Sequence, residues 1–120
     1  MSKNNEFSGT SANRYSLALF ELASEANLLA QVEVNSSSFL KLIFENKEFK
    51  NLIKDPTINH GVLNNIINKI SENYKLENLF KNFLSLLIIK RRFFYVEKIL
   101  LSFIEICSEK RGELKAEIKS

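Results

Sequence analysis

Three glycines and one proline in 120 residues leave this chain few places to reverse direction. A β-fold needs turn residues at short intervals, and Gly and Pro are also the residues that interrupt helices. A chain this poor in both is suited to long helices joined by brief connections, and its apolar residues recur at helical rather than alternating spacing. The one proline, Pro56, follows Asp55, and the residue before a proline is steered out of the helical region. One helix therefore ends at that dipeptide.

Six helical segments are expected. The first covers about 11–27, with Ser11 as a plausible N-cap and Arg14, Glu21 and Glu25 gathered on a water-facing sector. The second begins at 28 or 30 and reaches about 46, carrying Val32, Phe39, Leu42 and Ile43 inward. Its centre, Ser36-Ser37-Ser38, is weak in helix propensity, so packing has to hold it. The third is short, about 47–54, with Phe49, Leu52 and Ile53 inward. The fourth, about 59–74, has the cleanest stripe in the chain: Leu63, Ile66, Ile67, Ile70 and Tyr74. The fifth covers about 76–90. The sixth covers about 93–110 along a seam of Phe93, Val96, Leu100, Phe103 and Cys107. After Gly112, a possible helix C-cap, polar and apolar residues alternate through Ser120, a period that suits a strand. The organisation expected is a flexible start over 1–10, an all-α six-helix bundle over 11–111, and a short extended tail over 112–120 that opens a further region.

Composition narrows the function by exclusion. At 45% apolar residues, 120 residues can form one domain with its own core. The net charge of +3 comes from 17 basic and 14 acidic residues interleaved along the chain, the pattern of a solvated surface. No run of about 18 apolar residues exists to span a membrane. His60 is the only histidine and stands beside Gly61 near a helix start, which suits a surface or capping role. Cys107, the only cysteine, lies on the apolar seam of the sixth helix and reads as a small core residue. No phosphate-binding Gly loop, paired-cysteine motif or helical metal-ligand motif occurs. An enzyme active site, a metal and a cofactor are therefore not expected. Lys90-Arg91-Arg92 is the one basic cluster and keeps open an alternative, a basic helical RNA-binding or regulatory module.

The first and fifth helices are too apolar for a one-sided helix. A helix buried on one side needs an apolar stripe a little over 100° wide, and these two present nearer to about 200°. Either both are central and wrapped by their own domain, or they lie side by side as a groove for an amphipathic partner helix.

The residues that carry this pattern resemble a known family. The run Ala12 to Ala23 (Ala-Asn-Arg-Tyr-Ser-Leu-Ala-Leu-Phe-Glu-Leu-Ala) is similar to the opening helix of F-type ATP synthase delta subunits, relatives of the mitochondrial oligomycin-sensitivity-conferring protein. Phe49 to Pro56 resembles the family's short third helix. Asn82-Phe83-Leu84, the turn Lys90-Arg91-Arg92-Phe93 and Phe103 resemble its fifth helix, its Asn-x-Arg-Leu turn and its sixth helix. Lys90 and Phe93 depart from that turn, while Arg92 matches it. The resemblance spans about 11–120 and implies a non-catalytic stator subunit at the cytoplasmic face of the bacterial inner membrane. It implies that the N-terminal helix of an alpha subunit lies between helices 1 and 5, touching Tyr15, Ala18 and Leu22 on one and Asn82, Phe83 and Leu86 on the other. Phe80, Leu84 and Leu87 are then the core side of the fifth helix. The family's b subunits meet the C-terminal domain, most of which this chain lacks.

Overall fold

The computed structural model describes the backbone of residues 3–55 and 57–119, and the side chains of residues 12–55 and 57–110. Among the described residues six α-helices follow one another: α1 (Lys3–Glu25), α2 (Leu29–Glu45), α3 (Lys47–Lys54), α4 (His60–Tyr74), α5 (Asn78–Ile89) and α6 (Val96–Lys119). A 3-10 turn, Phe93–Tyr95, leads into α6. Among the described residues there is no strand. The all-α six-helix bundle expected from the sequence is what the chain forms.

Local signals explain most boundaries. The Asn46 side chain accepts the Phe49 N–H at 3.0 Å and starts α3. Asn59 accepts from Gly61 at 2.7 Å and Val62 at 3.3 Å and starts α4. These contacts satisfy N–H groups that have no partner inside the helix. At the other ends, α1, α4 and α5 stop on residues held at positive φ: Asn27 (59°), Lys75 (52°) and Arg91 (60°). The amide after each donates back to the helix, Leu28 to Ala23 at 2.9 Å, Leu76 to Ser71 at 3.0 Å and Arg92 to Leu87 at 2.8 Å. This is the Schellman ending, with non-glycine residues in the place glycine usually fills.

Packing centres on α6, which lies against both α1 and α2, while α5 packs chiefly on α4. α1 turns Ala12, Ser16, Leu19 and Ala23 inward, at i, i+4, i+7 and i+11. Three of the four are small, so α6 approaches closely: the buried Ser16 hydroxyl lies 2.7 Å from the Ala12 carbonyl oxygen and 2.9 Å from that of Ile99 on α6. The weak serine stretch of α2 is held as expected. Ser36 is fully buried and donates to the Val32 carbonyl at 2.9 Å. Neighbouring Asn35 accepts the Glu77 N–H at 2.9 Å, which supports the start of α5 across 42 residues of sequence. Phe39 joins four elements, meeting Phe49, Phe80 and Phe93 edge-to-face at 5.7, 6.1 and 6.4 Å between ring centroids. Each such pair contributes about 0.5–1.5 kcal/mol beyond its area burial.

Three expectations are corrected. α6 continues through Gly112 to Lys119, so the extended tail over 112–120 is not formed. An unpaired strand leaves its backbone groups without partners, whereas a helix satisfies them internally, and Leu114 and Ile118 are also spaced four apart. α1 begins at Lys3 rather than at Ser11: no proline precedes Ser11, and the helix runs through Gly9, which costs a helix only about 1 kcal/mol. Tyr74 is half exposed, and Ser71, one row back at i+4 from Ile67, takes the inward place in the last turn of α4. A tyrosine hydroxyl favours water over a site that offers it no partner.

Candidate partner-binding surface

The inward faces of α1 and α5 do not use all of their apolar residues. On α1, Leu22 is 48% exposed and Ala18 is exposed, one helical row outside the buried Leu19–Ala23 edge. Tyr15, half-buried, joins them from the same flank. Ala18 and Leu22 are four apart and Tyr15 precedes Ala18 by three, so the three form one strip along the helix. On α5 the buried arc is Phe80, Phe83, Leu84, Leu87 and Ile88, and beside it Leu86 is 40% exposed. α1 and α5 are in contact with each other.

Five of the six residues named from sequence are thus wholly or partly at the surface: Tyr15, Ala18, Leu22, Asn82 and Leu86. Phe83 is not, being 3% exposed within the core. It stands three after Phe80 and four before Leu87, in the same inward stripe as those two. Phe80, Leu84 and Leu87 are fully buried, as expected of the core side. Ile89 is not among those six. It is 67% exposed, and with Leu79, Asn82 and Leu86 it completes a strip at i, i+3, i+7 and i+10. That spacing was available in the sequence as the outer margin of the wide arc.

The rest of the surface offers less. His60, the first residue of α4, is exposed, and Cys107 is buried on the seam of α6. Asp55 accepts the Thr57 hydroxyl at 2.6 Å and the Thr57 N–H at 2.9 Å, and these two bonds hold its carboxyl below its ordinary value of 3.8. Lys90, Arg91 and Arg92 are exposed on the turn after α5. Clefts of about 240 and 490 Å³ flank Phe94, the first reaching Arg91 and His60 and the second Lys54 and Lys98. Among the described residues, no cluster of His, Cys, Asp and Glu could hold a metal, and no helix is long and apolar enough to cross a membrane.

Comparison with known proteins bears on this arrangement. Residues 12–120 match the family model described as ATP synthase delta (OSCP) subunit. The chain is 62% identical over all 120 residues to a protein of Pelagibacter ubique (strain HTCC1062) named ATP synthase subunit delta, 65% of which it covers. It is 34% identical over 109 residues to the protein of that name from Brucella suis biovar 1 (strain 1330), covering 91% of this chain and 59% of the relative. With the Dinoroseobacter shibae protein of the same name it shares 30% over 120 residues, 64% of that relative. The chain therefore spans about three-fifths to two-thirds of the length of these relatives.

Proposed function

The chain belongs to the ATP synthase delta (OSCP) subunit family, and on that footing we propose that it is the head-binding part of a stator connector. In this reading the exposed strips of α1 and α5 flank a groove that holds the N-terminal helix of an alpha subunit. The rest of the stator, including the b subunits, is met by sequence that the longer relatives carry. The complex then sits at the cytoplasmic face of the bacterial inner membrane, and this chain reaches the membrane only through its partners. Its task is mechanical: the catalytic head must be kept from turning with the rotor, and the connector transmits the restraint.

The observation that carries the reading is the pair of half-exposed leucines, Leu22 and Leu86, on two helices in contact, each just outside a fully buried row. An amphipathic helix laid across them would remove both from water, with Ala18 admitting its backbone closely and Tyr15 and Asn82 offering polar groups at the margin. The test is calorimetric titration with a synthetic peptide of roughly the first two dozen residues of the alpha subunit from the same organism. One-to-one binding with a negative heat-capacity change is expected, because apolar surface leaves water. Ala18→Asp should abolish most of the heat while lowering stability by only about 0.5 kcal/mol, the helix-propensity difference. A folded chain that gives no heat with this peptide removes the proposal.

A further inference from the structure

The chain's positive charge gathers where α5 turns into α6. Lys54, Arg91 and Lys98 line the two clefts that flank Phe94, and Lys90 and Arg92 stand on either side of Arg91. The clefts also hold two carboxylates, Asp55 and Glu97. Five cations against two acids leave an excess of three, which equals the net charge of the whole chain, so the rest of the sequence is balanced. Both acids have a place in the fold itself. Asp55 accepts two bonds from Thr57, and Glu97 lies in the first turn of α6, where the helix dipole favours a negative charge. Lys98 stands in that same turn and opposes the dipole, and three consecutive cations on one connection repel one another. Two backbone bonds pin them there, Arg91 N–H to the Ile88 carbonyl at 3.0 Å and Arg92 N–H to that of Leu87 at 2.8 Å.

The surface between these cations is concave and apolar. The cleft of about 240 Å³ has a floor of Ile53, Leu63, Ile88 and Phe93, all buried and each from a different element, so the floor belongs to the core rather than to a loop. Phe94, 48% exposed, is the wall between this cleft and the one of about 490 Å³, and Tyr95 backs its ring at 4.3 Å between centroids. Leu101, 47% exposed, borders the second cleft. A preformed apolar hollow with a few charged groups at its rim is the general form of a binding site. We propose that this end of the bundle docks an acidic segment of a partner protein. The segment sets one bulky apolar side chain over Ile88 and Phe93 and lays its carboxylates against Arg91 and Lys98. A lipid surface does not reach a concave floor, and the carboxylates within both clefts repel the continuous phosphates of a nucleic acid. A peptide that alternates acids with apolar anchors meets neither obstacle. The site shares no residue with the strips on α1 and α5 and does not depend on the groove.

The test is fluorescence anisotropy of a labelled peptide, acetyl-Ser-Glu-Glu-Leu-Phe-Glu-Asp-Ser-amide, titrated with the wild-type chain. At about 50 mM salt it should bind about tenfold more tightly than the same peptide with its acids replaced by Gln and Asn, and the difference should shrink at about 500 mM salt. Arg91→Gln/Lys98→Gln should bind the acidic peptide about three- to tenfold more weakly at low salt, through loss of two exposed ion pairs. Phe94→Ala should bind it about four- to tenfold more weakly, since a half-exposed ring is lost to the contact. Both variants should keep their helical circular dichroism and bind the alpha-subunit peptide as wild type does. Leu22→Ala/Leu86→Ala should bind the acidic peptide unchanged, so a failed groove leaves this site standing. Equal binding of the acidic and neutral peptides by the wild-type chain overturns the proposal, as does unchanged affinity in Arg91→Gln/Lys98→Gln and Phe94→Ala. Tighter binding of oligouridine or of phosphatidylglycerol vesicles than of the acidic peptide also overturns it, by assigning the surface to a nucleic acid or a membrane.

Discussion

Truncating neighbouring leucines on the two sides of α5 should separate binding from folding. Leu87 is fully buried, and Leu86, the next residue, is 40% exposed. Burying a whole leucine side chain is worth about 1.5–3 kcal/mol. The fraction of Leu86 still exposed can therefore contribute about 0.5–1 kcal/mol to an association, after allowance for the methyl that alanine keeps. Leu22, 48% exposed on α1, has about the same share to give. The double variant Leu22→Ala/Leu86→Ala should then bind the alpha-subunit peptide about 5- to 30-fold more weakly, if the two sites act independently. Leu87→Ala, by contrast, leaves a cavity and should lower folding stability by about 2–5 kcal/mol. Below its lowered melting temperature it should bind the peptide with nearly unchanged affinity. Calorimetry and urea denaturation on the same three proteins decide the matter. The assignment of faces is refuted if Leu22→Ala/Leu86→Ala binds as well as wild type, or if Leu87→Ala loses affinity to the same degree while still folded.

Three further outcomes follow from the packing and the caps. Phe39→Ala removes the ring that meets Phe49, Phe80 and Phe93, and should cost about 3–5 kcal/mol in urea denaturation; a loss under about 1 kcal/mol would show that the ring cluster is not the centre of the core. Lys75→Gly relieves a side chain held at φ 52° and should raise stability by up to about 1 kcal/mol, or about 3–5 °C in melting temperature. Asp55 should titrate below 3.8 by carboxyl NMR, and Thr57→Ala should bring its pKa back up, since the hydroxyl is the larger cause. Because the folded-state value is depressed, the stability that this group contributes is present above 3.8 and is lost as pH falls through the folded value. A Thr57→Ala titration that coincides with wild type would remove the hydroxyl from the explanation.

Much of the fold was legible because several elements carry both a stripe and a stop. α3 was bounded correctly by eight amphipathic residues ahead of Asp55-Pro56, and α4 by Asn59 and the row through Leu63 and Ile67. The seam of α6 also came through: Phe93, Val96, Leu100, Phe103 and Cys107 are all buried. What failed were the outer ends of α1 and α6, where a lone glycine, Gly9 or Gly112, does not stop the helix. The residues after Gly112 satisfy a period of two and a spacing of four at once, and a segment so short does not choose between them by pattern. Backbone hydrogen bonding chooses, and it favours the helix in which every internal N–H has a partner. The bond from Glu77 N–H to Asn35 could not be read at all, because it depends on how α2 meets the start of α5.

The candidate site shows a finer limit of the same kind. Apolar width identified α1 and α5 as the helices with residues to spare, and both do expose leucines. Width alone does not say where the core side ends, because an arc of about 200° can be divided at several places. Phe83 was put on the outer side, yet its spacing from Phe80 and Leu87 already placed it in the row that packs inward. Ile89 was passed over, although its spacing from Asn82 and Leu86 placed it outward. The polar residues supply the better boundary. On α1 the strip of Tyr15, Ala18 and Leu22 stops against Arg14, Glu21 and Glu25, which a sequence reading assigns to solvent.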